Sequence, residues 1–184
     1  LAWFRKTQSE PLPVTMAGVT LGTRVLVAGA RDTTFAAALA SKAGLTGRAC
    51  VVDADAERAT FAALAIERDG ALAEVTSAPW DRLPYDDGSF DLAVVHDVLS
   101  AVPADVRSRA ASELLRVVRP GGRVLIVETA PRAGFGALLH RQPIDATYAS
   151  AGGGVNTLAK AGFAAVRELA ERDGIRYIEG IKRA

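Results

Sequence analysis

One cysteine, two histidines and only 6% aromatic residues among 184 positions leave little room for several kinds of chemistry. The lone Cys50 cannot close an internal disulfide. It sits in the apolar run Ala49-Cys50-Val51-Val52, where a small buried thiol packs as a hydrophobe. That usage fits a reducing, cytoplasmic setting. With His96 and His140 it makes no metal-ligand spacing, so no metal is expected. No serine sits in a nucleophile elbow. The turn Gly29-Ala30-Arg31-Asp32-Thr33-Thr34 lacks the G-x-G-x-x-G spacing of dinucleotide enzymes. No run reaches the roughly 18 apolar residues that cross a bilayer. Charge of one sign is missing too. Lys and Arg number 22 against 21 Asp and Glu, for a net +1 and no long basic run, which excludes general nucleic-acid binding.

What remains is ordinary globular material. Hydrophobic residues make up 49% and charged ones 23%, enough for one cored domain of this length. Residues 1–20 read as an irregular or lightly helical extension that Pro11 and Pro13 interrupt, and 21–184 as the domain. The chain opens at Leu1 rather than methionine, which leaves its natural start open. Leu1-Ala2-Trp3-Phe4-Arg5-Lys6 joins apolar residues to two cations, either an arm for peripheral membrane contact or an ordinary terminal segment.

From Gly22 onward strands and helices alternate. Strands are expected at 24–28, 49–52, 71–76, 90–95 and 123–127, and helices at 33–43, 56–69 and 102–118. Asp32, Thr33 or Thr34 can cap the first of these helices. Phe61, Leu64 and Ala65 share one face of the second. Pro120-Gly121-Gly122 breaks the third. Residues 130–153 read as a glycine-rich loop with a short helix at 136–140. A last helix over 156–161 and two strands at 164–171 and 175–182 close the chain, with a turn at Asp173-Gly174. The order implies an α/β fold: a Rossmann-like, doubly wound, mostly parallel seven-stranded sheet with an antiparallel last strand and helices on both faces.

Four stretches, in order, resemble the class I S-adenosylmethionine (SAM) dependent methyltransferases, and among them the small enzymes that modify diverse metabolites. They are Leu21 to Gly29, with Asp53 following 24 residues after Gly29; Leu83-Pro84-Tyr85-Asp86-Asp87-Gly88-Ser89-Phe90-Asp91; Leu114 to Gly122; and Ala161-Gly162-Phe163 with the final strand pair. The resemblance covers about 20–183 and implies SAM as cofactor, a small-molecule acceptor and a cleft opening at Gly29. It carries over to Gly29, Ala30 and Arg31 at the first turn, Asp53 and Ala54 after the second strand, Pro79 and Trp80 after the third, and His96 after the fourth. In parallel sheets, ligands lie beyond the carboxyl ends of the strands near the switch point. There Asp53 either accepts from both ribose hydroxyls or caps the next helix, for which Asp55 is the better placed. Trp80 either stacks on adenine or plugs the sheet end.

The chain departs from the family at three places. Val27 stands where the family has an acid, Arg31 and Thr33 where it has glycines, and Pro79 where an acid meets the adenine amino group. Arg31 can instead pair with the cofactor carboxylate or with a phosphate at the helix N-terminus, or reach solvent or Asp32. Methyl transfer needs mainly alignment, and a base only when the acceptor must lose a proton. His96 and Asp97 are the candidate bases; the alternative for His96 is local bonding at a strand end. His140, Arg141 and Tyr148 are the candidate acceptor contacts. Against the enzyme stands a second reading: a non-catalytic module of the same fold that has lost normal SAM binding.

Overall fold

The computed structural model describes residues 10–130 and 146–184. Its first element, α1 (Leu12–Ala17), corrects the reading of the prolines. Pro11 caps it and Pro13 lies in its first turn, where a missing N–H removes no intrahelical bond. Val14, Ala17 and Val19 enter the same core as the sheet, and the Arg123 guanidinium donates to the carbonyls of Met16 and Ala17. Residues 12–19 are thus packed into the domain.

Strand β1 (Arg24–Ala28) leads into the Gly29 turn and α2 (Thr33–Ala43). Asp32 is the cap, its Oδ1 accepting from Phe35 N at 2.9 Å. Then come β2 (Arg48–Asp53), α3 (Ala56–Arg68), β3 (Glu74–Ser77), β4 (Phe90–His96) and α4 (Ala104–Val117). The chain ends in β5 (Val118–Thr129), α5 (Ala146–Ser150), α6 (Gly153–Ala161), β6 (Ala164–Arg172) and β7 (Ile175–Ile181). The seven strands order as β3-β2-β1-β4-β5-β7-β6. The pairs from β3 to β5 are parallel, while β7 runs antiparallel to both neighbours.

Alternation along the central strands sends side chains to two cores. Val25, Val27, Val51 and Val94 pack with Phe35 and Leu39 of α2, Ile66 of α3 and the α1 residues. Leu26, Ala28, Cys50, Val52, Ala93 and Val95 pack on the other face with Leu114 of α4 and Leu158 of α6. Cys50 is fully enclosed, and burial pushes its thiol up to about 11.

One boundary and one helix face differ from expectation for local reasons. Pro120-Gly121-Gly122 does not separate α4 from β5 but lies inside β5 as an irregularity. Phe90 pairs with Val118, the next pair is Leu92 with Arg123, and Gly121 N donates to Lys182 O at 2.9 Å. On α3, Ala59, Ala62, Ala65 and Ile66 face the sheet, while Phe61 and Leu64 stand 65% and 63% exposed.

Candidate functional site

The chain runs outward from β1 through β2 to β3, then returns to β4 on the other side of β1. The carboxyl ends of β1 and β4 therefore diverge into separate connections, the position where parallel sheets open a crevice. Gly29 occupies that point with φ 102°. A Cβ there would lie 2.5 Å from His96 O and 3.0 Å from Val98 Cγ2. The glycine is demanded first by the end of β4 passing close by.

Asp53, the last residue of β2, reaches across to this turn. Its Oδ2 accepts from Ala30 N at 2.9 Å. Its Oδ1 accepts from Asp55 N at 2.9 Å and from Arg58 Nε and Nη2 at 3.2 and 2.9 Å. Burial works to raise the Asp53 pKa, but the Arg58 guanidinium and the two backbone N–H groups outweigh it and hold the carboxyl below its usual range. Asp55 caps α3, its Oδ1 accepting from Glu57 N and Arg58 N. Asp55 rather than Asp53 is thus the helix cap, as expected. Asp53 is not open, however: it is only 1% exposed, with Arg58 over it.

Ala54 and Arg31 are exposed beside the turn, and Pro79 is exposed beyond β3. Trp80 packs against the α4-side core and lines a small recess with Ala28, Leu83, Val95 and Leu114. Its loop is pinned by Arg116, which donates to Tyr85 O at 2.7 Å and Leu83 O at 3.0 Å, and by Glu113, which accepts from Leu83 N at 2.8 Å.

At the end of β4, His96 lies against Phe35, ring centroids 5.5 Å apart. Its Nδ1 is buried and has no hydrogen-bond partner among the described residues. Asp97 has φ 51°, and its carboxylate is engaged: Oδ1 accepts from Thr129 N at 2.8 Å and Oδ2 from Thr129 Oγ1 at 3.3 Å. Asp97 thus ties the ends of β4 and β5 together, which is structural work for a residue expected as a base. Tyr148, expected at an acceptor surface, is 3% exposed. Its hydroxyl donates to Glu128, and the Arg107 guanidinium lies over its ring at 4.6 Å. Glu128 also accepts from Arg176 Nη2 at 2.7 Å. His140, Arg141 and the expected helix at 136–140 lie outside the described residues, as does the 1–6 segment.

A model of the methyltransferase domain family matches residues 26–126, more than half of the chain. The chain belongs to the class I SAM-dependent methyltransferase family. Among curated members it is 30% identical over 115 residues to the ubiquinone/menaquinone biosynthesis C-methyltransferase of Cupriavidus necator, a match covering 62% of this chain and 46% of that one. The chain thus spans about half the length of the curated relatives it matches. The structure of a SAM-dependent methyltransferase from Aquifex aeolicus superposes with a TM-score of 0.76 at 17% identity, over 92% of this chain and 87% of that one. The structure of a [4+2]-cyclase superposes at 0.66, also at 17% identity, over 92% and 79%. At such identity the likeness establishes the fold alone, and a cyclase among the neighbours illustrates why the reaction must be argued from the site.

For the family's cofactor, the residues present fit on two observations. Asp53 is fixed beside the backbone turn, with one partner on Oδ2 among the described residues, and the His96 Nδ1 lacks one. Arg58 and Glu128 are the residues that sequence reasoning missed. Arg58 had a signal: a cation in the first turn of a helix opposes the helix dipole and calls for a carboxylate partner, here Asp53 and Asp55. Glu128, an acid ending an apolar strand, had only its position.

Proposed function

We propose that the chain is a methyltransferase that moves a methyl group from SAM to a small-molecule acceptor. The observation that carries this reading is Asp53 Oδ2 bonded to Ala30 N at the β1/β4 switch point, which sets a carboxylate and a backbone turn side by side. The name of the Cupriavidus relative supports a small-molecule acceptor. The cofactor would supply a methyl carbon on a cationic sulfur. Asp53 would accept from its ribose hydroxyls, with Ala54 beside it; the Gly29-Ala30 backbone would line its path, and exposed Arg31 would meet its carboxylate. Pro79 and Trp80 would flank the adenine by shape rather than by an acidic side chain.

His96 is the group for proton removal, because its Nδ1 is unpartnered whereas each Asp97 oxygen already accepts from Thr129. An imidazole nitrogen with a free lone pair can take the proton of an acceptor hydroxyl or an activated carbon acid. Much of the remaining rate would come from alignment.

The enclosure of Asp53 favours one alternative, a module of the same fold without catalysis. Thermal melting separates the two. The enzyme should be stabilised by several degrees in about 1 mM S-adenosylhomocysteine, since a ligand at many times its Kd adds a few kcal/mol. An unchanged melting temperature, together with no methyl transfer, would favour the module.

A further inference from the structure

We propose that Arg58 is a displaceable cover on Asp53, which a bound nucleoside must push aside; this rests on the SAM-binding reading above. Three observations support it. First, Asp53 Oδ1 is crowded: Asp55 N and Arg58 Nε and Nη2 share an oxygen with about two lone-pair sites. A pair of ribose hydroxyls would replace the two guanidinium N–H groups donor for donor, so the buried carboxylate is satisfied in either state.

Second, Arg58 has somewhere to go. Its side chain is 39% exposed, and its Nη1 already holds Asp55 Oδ2 at 2.9 Å. Asp55 is itself half-exposed, so the guanidinium can pivot outward while keeping one carboxylate partner. Third, the first turn of α3 is an unfavourable place for a cation. The helix gains nothing from Arg58 there, and what holds the side chain in place is the pair of carboxylates.

The test is calorimetric titration of S-adenosylhomocysteine into the full chain and three variants. Arg58→Ala removes the competitor and should tighten binding roughly three- to tenfold, the range for a half-exposed charged pair. Arg58→Gln, which keeps most of the side-chain volume, should move the same way. Asp55→Asn still caps α3 but takes away the ionic partner of the displaced guanidinium, and should weaken binding about twofold or more. Opposite signs at neighbouring residues would not arise from simple loss of structure, which lowers affinity in every variant. If the wild type binds and the Arg58 variants bind equally or less well, the cover is wrong and the cofactor reading stands. If none of the four proteins binds, both fall.

Discussion

At Gly29 the backbone turns with φ 102° while the His96 carbonyl passes where a Cβ would sit, 2.5 Å away. Gly29→Ala should therefore cost about 2–4 kcal/mol through backbone strain and displacement of the end of β4. A urea midpoint equal to that of the wild type would contradict this. Glu128, by contrast, is a matter of satisfied charge. It is buried and holds both the Tyr148 hydroxyl and Arg176, so Tyr148→Phe removes one donor and should cost about 1–3 kcal/mol in the same measurement. A loss below about 0.5 kcal/mol would show that the hydroxyl is not needed. For His96, His96→Gln should lower turnover roughly a hundredfold for an acceptor that must lose a proton, a larger effect than any on S-adenosylhomocysteine affinity. A fall in affinity with turnover intact would assign His96 to binding instead.

Among the elements, β1 and α2 follow their sequence signals residue for residue, because an apolar run and a capped, periodic segment each have a sharp local cause. The strand expected at 123–127 is present, but the beginning of β5 was hidden by Pro120, Gly121 and Gly122. These residues normally end a strand, but here the bulge between the Phe90 and Leu92 pairings takes up the extra length and Lys182, just past β7, exchanges hydrogen bonds with Gly121 and Gly122. The face shared by Phe61, Leu64 and Ala65 is split by burial, because periodicity gives the spacing of apolar residues but not which side meets the sheet. The sheet takes the alanines, and Phe61 and Leu64 point to solvent. Replacing both by lysine should shift stability by less than about 1 kcal/mol in total, as for surface positions. A cooperative loss of several kcal/mol would mean that this face is covered in solution.

Across the whole molecule, the topology was legible because alternation of strands and helices with a final strand pair allows few arrangements. The site was legible only in its backbone and at Asp53. Its closure by Arg58, and the use of Asp97 and Tyr148 to fasten strand ends, depend on side chains that meet only after folding. The same pairings set the response to pH. At Asp91, burial opposes ionisation, but Arg24 and Arg119 outweigh it and bring the pKa to about 2; Asp53 is lowered too. A carboxyl depressed in the fold adds stability above its unfolded pKa near 4, and that stability drains as pH falls toward about 2. All three tyrosines move the other way: burial lifts Tyr85 to about 12 and raises Tyr148 and Tyr177 as well. The folded state then binds more protons than the unfolded one above about pH 10, so stability should fall as pH rises from there. Phenolate absorbance checks this, since Tyr85 and Tyr148 should stay protonated at pH 10 while the fold is intact.

The central claim is that the β1/β4 switch point holds a SAM-type ligand through Asp53. Calorimetric titration of S-adenosylhomocysteine into the wild type and into Asp53→Ala tests it directly. One-site binding by the wild type, weakened at least roughly tenfold in the variant, is the expected result. No heat of binding by the wild type at about 1 mM ligand, or equal affinity in both proteins, would contradict it.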